Sequence, residues 1–233
     1  MNSVGLGDYA VRIVNRRTGS AFPTRDGLVE IPDSTEYAIE LRNNSSRRAG
    51  CVVKIDSTNV GSFVVDARDV VVIERPAGSA RVFRFDFTGG SHARRAGARS
   101  GRFSNGLISC TFTPEKVEWM YDVSMSPRRA SMAAASIAPR SPRGPYHEGV
   151  TTLGRRSDQT FDHVYFEGDY SQSVTINLRL VGVGHHEEYD PVYPLVREDY
   201  PRPVFLKRET PVPPPVYNGG IYNLPYPQPL LVS

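Results

Sequence analysis

Residues 37–87 read YAIELRNNSSRRAGCVVKIDSTNVGSFVVDARDVVVIERPAGSARVFRFDF. Tyr37, Ile39 and Leu41 alternate with Ala38, Glu40 and Arg42, and Asn43-Asn44-Ser45-Ser46 then interrupts as a turn. Cys51, Val53 and Ile55 oppose Val52, Lys54 and Asp56, and apolar runs recur at 60–65, 70–73 and 82–87. Successive side chains on a strand point to opposite faces, so a period of two predicts strands with one buried face. Turn chemistry separates them. Lys54-Ile55-Asp56 followed by Ser57-Thr58-Asn59 and Val60-Gly61 suits a tight hairpin in which Asp and Asn accept backbone donors. Residues 66–69 and Pro76-Ala77-Gly78 break the chain again, and Glu74 is placed to pair with an arginine on the next strand.

Upstream, Tyr9, Val11 and Ile13 alternate with Ala10, Arg12 and Val14, residues 15–26 are turn-rich, and a short strand at 28–31 stops at Pro32-Asp33. Seven short strands within about eighty residues predict an all-β fold, an antiparallel β-sandwich of jelly-roll-like or immunoglobulin-like type. Downstream, 89–105 (GGSHARRAGARSGRFSN) is too polar and glycine-rich for a regular element. Strands follow at 107–112 and 117–121, the second carrying Trp119. Ile108, Cys110 and Phe112 share one face, which turns Cys110 toward the same core as Cys51. Both are expected as buried free thiols; a bridge between them is the alternative, open only if their strands are neighbours. Alternation resumes at 160–166 and 173–183, where Val174, Ile176, Leu178 and Leu180 line one face.

These readings divide the chain into four parts. Residues 1–122 form the main part of the sandwich. Residues 123–148 form an Arg/Pro/Ala-rich linker insertion, with room for a short helix over 130–137. Residues 149–184 supply the final strands, and 185–233 form an extended Pro/Tyr-rich arm. The arm holds eleven of the nineteen prolines yet keeps large apolar side chains. A solvated linker favours Gly, Ser and charge, whereas a packed domain does not tolerate so many missing donors and fixed φ angles. An extended arm that gains order by lying against another surface satisfies both facts. The partner-binding residues predicted on it are Tyr193, Tyr200, Tyr217, Ile221, Tyr222, Leu224 and Tyr226.

Charge and motifs narrow the function. The 233 residues carry a net charge of +3, with 28 Lys and Arg together, of which all but Lys54, Lys116 and Lys207 are arginine. That excess is too small and too dispersed for a phosphate-binding stripe, and little aromatic interleaving is present to stack bases. The arginine clusters at Arg94-Arg95-Arg99-Arg102, Arg128-Arg129-Arg140-Arg143 and Arg155-Arg156 fit an acidic protein face better than nucleic acid. Arg94, Arg95, Arg128 and Arg129 join the predicted partner-binding set. No apolar run reaches the length of a transmembrane helix, and the first residues lack a basic segment followed by an apolar one, so synthesis in a cytoplasm is expected.

No phosphate-binding loop and no nucleophile elbow is present. Asp8, Asp56, Asp66, Asp69, Asp86 and Asp122 fall mainly at predicted strand ends and turns, where aspartate caps. His185-His186-Glu187-Glu188 has ligand chemistry, but neighbours in an extended chain point apart, so it reads as a polar joint. Two cysteines are too few for a zinc cluster or a disulfide scaffold. The expectation is therefore no catalytic residue, no cofactor and no metal. Asn43-Asn44-Ser45 and Asn44-Ser45-Ser46 match a glycosylation triplet but read as a turn.

Residues 35–87 resemble a β-sandwich module of predicted virion and structural proteins of large nucleocytoplasmic DNA viruses, also found in some algae. The resemblance lies in Tyr37-x-Ile39-x-Leu41-x-Asn43, the basic turn Arg47-Arg48, Lys54-Ile55-Asp56, Val60-Gly61 and Ile73-Glu74-Arg75-Pro76. Residues 106–115, 149–153 and 173–181 are similar to the module's later strands, and the arm lies outside the shared pattern. The resemblance implies a virion component. Together with the arm, it predicts a minor capsid protein of a large icosahedral DNA virus that cements or fastens neighbouring capsomers through arm and loops. Its partners would be the major capsid protein and other minor capsid proteins. The alternative is a binding module for carbohydrate or a host surface displayed on a particle.

Overall fold

The computed structural model describes residues 2–117, 135–139, 146–184 and 230–232. In chain order the strands are β1 (Val4–Leu6), β2 (Tyr9–Asn15), β3 (Thr24–Arg25), β4 (Leu28–Pro32), β5 (Thr35–Asn43), β6 (Ala49–Ile55), β7 (Thr58–Val65), β8 (Asp69–Ile73) and β9 (Arg81–Phe87). A five-residue helix α1 (Ser91–Arg95) precedes β10 (Leu107–Pro114), β11 (Ala135–Ile137), β12 (Gly149–Arg156), β13 (Asp162–Val164), β14 (Val174–Val183) and β15 (Leu230–Val232). They form two packed, largely antiparallel sheets, a β-sandwich. One has six strands in the order β1-β2-β5-β9-β12, with β8 also on β5. The other has nine in the order β13-β15-β7-β6-β10-β14-β4-β3, with β11 on β14.

The alternation builds the core directly. Val11, Ile13, Tyr37, Ile39, Leu41, Phe83 and Phe85 project from the first sheet and are fully buried. They meet Cys51, Val53, Ile55, Phe63, Ile108, Cys110, Phe112 and Ile176 from the second, also fully buried. Removing such surface from water contributes about 25 cal/mol for each Å². Tyr9 stacks on Phe112 across the two sheets with ring centroids 4.7 Å apart. Tyr37 keeps its hydroxyl satisfied in the dry core by a 2.7 Å hydrogen bond with Thr151 Oγ1.

The outer face of the first sheet follows the opposite rule. Arg12 lies directly across from Glu40 and pairs with it, and Arg42 adds a second cation to the same carboxylate. Glu74 pairs with Arg16, beyond the end of β2, at 2.9 Å and accepts from Ser157 Oγ, so its arginine is not on the next strand. Asp86 also departs from its reading as a strand-end cap. It lies inside β9, buried at 2% exposure, accepts from Thr152 Oγ1 and lies 3.2 Å from Arg84 Nε.

Several elements differ from the sequence expectation. Three pairings are parallel: β4 with β14, β11 with β14, and β15 with β7. The first arises because the chain leaves β2 in one sheet and lays β4 along the last long strand of the other. Residues 135–137 are extended against β14 and not helical. Val117 is outside any strand, and the rest of the strand expected there lies outside the described residues. Within 89–105, α1 forms because Ala93 and His92 bury against β9 and β12, a tertiary gain that local polarity conceals. Asn43, fully buried, donates to Arg47 O, Val65 O and Asp66 O and accepts from Ser45, which establishes the turn reading there.

Gly149 and Gly182 each admit a core ring. A Cβ on Gly149 would lie 2.1 Å from Phe85 Cζ, and one on Gly182 would lie 2.1 Å from Phe87 Cε1. Gly149→Ala is therefore expected to lower stability by about 1–3 kcal/mol through overpacking, or a fall in Tm of roughly 2–10 °C. Gly89→Ala, where nothing lies within 4 Å of the new atom, should leave Tm unchanged. Thermal denaturation of the two variants checks this.

Candidate functional site

The first surface is the rim of the larger sheet, where β15 lies between two strands that are not paired with each other. β13 pairs antiparallel with β15 through Asp162↔Val232, His163↔Leu231 and Val164↔Leu230, and β15 pairs parallel with β7 at Leu231↔Phe63. The segment carrying β13 is fastened to the sandwich at both ends without help from β15. Upstream, Gln159 accepts from Glu74 N at 2.9 Å and donates to Val72 O at 2.7 Å. Arg75 donates to Gln159 O and sits 4.4 Å over the Phe161 ring, which packs against Phe63. Downstream, Phe166 buries against Val64, Lys116 N donates to Glu167 O at 2.7 Å, and Asp169 N donates to Pro114 O at 2.8 Å. Holding both ends leaves a gap of two strand spacings, about 9–10 Å, between β13 and β7. A single strand fills it.

The second surface is the loop between β9 and β10. Glu148 is its post: the carboxylate accepts from Ser100 Oγ at 2.6 Å, from Gly101 N at 2.9 Å and from Asn105 Nδ2 at 2.8 Å. Burial works against its charge, but these donors outweigh it and hold the carboxyl below the usual range. Pinned from beneath, the loop presents Arg94, Arg95, Arg99 and Arg102 to solvent, and none has an acidic partner among the described residues. Phe103, 83% exposed, carries the Arg179 guanidinium 5.0 Å from its centroid. A cleft of about 460 Å³ opens beside the loop between Phe87, Thr88, Ser100, Tyr146 and His147.

The same end of the sandwich is closed by Asp56. It occupies the β6–β7 turn with Ser57, both at positive φ (50° and 69°), the two-residue turn that suits hairpin twist. Its carboxylate accepts from Gly106 N at 2.6 Å and from Thr151 N at 2.7 Å, so one side chain ties the hairpin to both sheets. Burial pushes this carboxyl up to about 7, against the opposing pull of the two N–H donors and Arg179. Cys51 and Cys110 are free and fully buried on neighbouring strands, and burial pushes the Cys51 thiol well up.

Of the predicted partner-binding residues, the structure places Arg94 and Arg95 together, exposed in the last turn of α1. Arg128, Arg129, Tyr193, Tyr200, Tyr217, Ile221, Tyr222, Leu224 and Tyr226 lie outside the described residues, as do His185-His186-Glu187-Glu188 and Trp119. The described piece of the arm, 230–232, pairs with strands of this chain's own larger sheet. Sequence reasoning passed over that strand, Glu148 and Phe103. Three apolar residues after a proline run carry no alternation, and a single Glu in a loop carries no spacing. Among the described residues no group of three or more His, Cys, Asp or Glu is placed to hold a metal ion, and no helix is long and apolar enough to cross a membrane. Comparison with protein-family models, with curated proteins and with solved structures finds no match to this chain.

A carboxyl raised by folding binds its proton more tightly in the native than in the unfolded chain. Its contribution therefore falls as pH rises from the ordinary aspartate range, near 4, through about 7. Relative to wild type, Asp56→Asn should remove that slope and show a flatter stability profile between pH 4 and 7. At pH 4, where the wild-type group is neutral, the amide should be less stable by about 1–3 kcal/mol, because its NH₂ cannot accept from the second N–H, whereas the carboxyl's hydroxyl oxygen still can. Urea denaturation across this pH range measures both effects.

Proposed function

We propose that this chain is a non-enzymatic assembly component, a minor capsid protein that fastens neighbouring capsomers in a large icosahedral DNA virus. The observation that carries the reading is the placement of 230–232 as an inserted strand at the far end of a 45-residue tract holding eleven prolines. A segment that attaches by adding a strand gains main-chain hydrogen bonds without needing a core of its own. Proline in the tract limits the freedom of the unattached chain, so less entropy is lost on docking.

The resemblance of residues 35–87 to virion-protein sandwiches supports the same reading. Within that class we infer an immunoglobulin-like arrangement over a jelly roll. The β2–β5–β9 set faces β7–β6–β10–β14, and the early strand β4 runs parallel to the last long strand β14. The Arg94/Arg95 loop and the arm tyrosines are the proposed contacts to the major capsid protein and other minor capsid proteins in the virion. The alternative, a displayed carbohydrate- or host-surface-binding module, draws on exposed Phe103, Tyr165 and Tyr170, and specific binding on a glycan array would favour it.

Particles assembled with a chain ending at Gly184 should incorporate less of it, and any incorporated copies should leave at lower temperature. Quantitative mass spectrometry of purified particles and a thermal release assay measure this. Unchanged incorporation together with unchanged release temperature would end the fastening reading.

A further inference from the structure

We propose that Leu230–Val232 is an exchangeable donor strand that seats in the β7/β13 slot of a second copy of this chain when copies are crowded. Because Gln159, Arg75 and Phe161 hold one flank of β13 and Phe166, Glu167 and Asp169 hold the other, the gap beside β7 belongs to the sandwich and not to the strand that fills it. An open gap of this kind exposes unpaired N–H and C=O groups on two facing edges, a template that accepts any strand of the right register. The strand that fits is by construction present on every other copy.

The connection decides whether it can get there. Within one sheet, the end of β14 and the start of β15 are four strand spacings apart sideways. Registers through β10, β6 and β7 put them roughly eight residues apart along the strands, a direct gap of about 30 Å. The intervening residues 185–229 extend at most about 150 Å. A sandwich of this size is only about 40 Å across, so the tether reaches the slot of a touching neighbour as readily as its own. A tethered strand meets its own slot at an effective concentration on the order of millimolar. Isolated copies therefore close on themselves, and copies held side by side at similar local concentration exchange. This rests on the assembly reading only for where copies crowd; the slot and the tether stand without it.

Deleting 187–226 leaves five residues between Gly184 and Leu230, a reach of about 20 Å that cannot close the ring. The shortened chain should form dimers and larger species by size-exclusion chromatography with light scattering at concentrations where the full chain is monomeric. Leu231→Pro, which removes a backbone donor from β15, should return it to monomer. A monomeric shortened chain, or oligomers indifferent to Leu231→Pro, overturns the proposal.

Should the shortened chain not fold, full-length chains carrying two different affinity tags give the second readout. Mixed at about 1 mM, near the tether's effective concentration, and chemically cross-linked before dilution, they should co-purify, and with Leu231→Pro in both they should not. Failure to co-purify also overturns strand exchange, while leaving the fastening reading to the particle experiment.

Discussion

A strand edge carries a row of hydrogen-bonding groups that cost free energy when neither water nor another strand meets them, and the larger sheet is organised around that requirement. β14 is met on one side by β10; β4 pairs with it in parallel over Arg179–Val183, and β11 pairs with it in parallel over Val174–Ile176. β7 is met by β6 on one side and, on the other, by a strand drawn from the far end of the chain. The core needs only the period-two alternation. The rims need segments brought from distant parts of the sequence.

What the residues disclosed about themselves follows the same division. Cys51, Val53 and Ile55, or Val174, Ile176 and Leu178, announce strands because burial on one face imposes alternation, and the sheets form as that pattern requires. Asp56 was readable as a turn carboxylate, though not as the group that reaches Thr151 in the opposite sheet, because that contact joins residues 95 positions apart. Helix α1 was hidden because its stability comes from Ala93 and His92 against β9 and β12 and not from its own polar, glycine-flanked sequence. β15 was hidden for a related reason: three residues have no period. The edge-bridging pairings are long-range choices of partner, on which local patterning is silent.

The two proposed contact surfaces divide the work by physics. The Arg94/Arg95 loop, braced by Glu148 from below, presents a fixed cationic face whose attraction acts over about a Debye length and weakens with salt. The strand and slot act only on contact, through directional main-chain bonds that salt screens little. Electrostatic approach followed by strand addition separates finding a partner from holding it.

The direction of β15 sets its mechanical character. Its tether enters at Leu230, and the strand runs parallel to β7 and antiparallel to β13. Tension drawn along the strand axis loads the bonds on both flanks together as shear, so they must yield at once. A sideways pull unzips them singly. A clasp of only three residues can thus resist a pull along its axis while peeling open under a lateral tug, an anisotropy written into strand polarity alone.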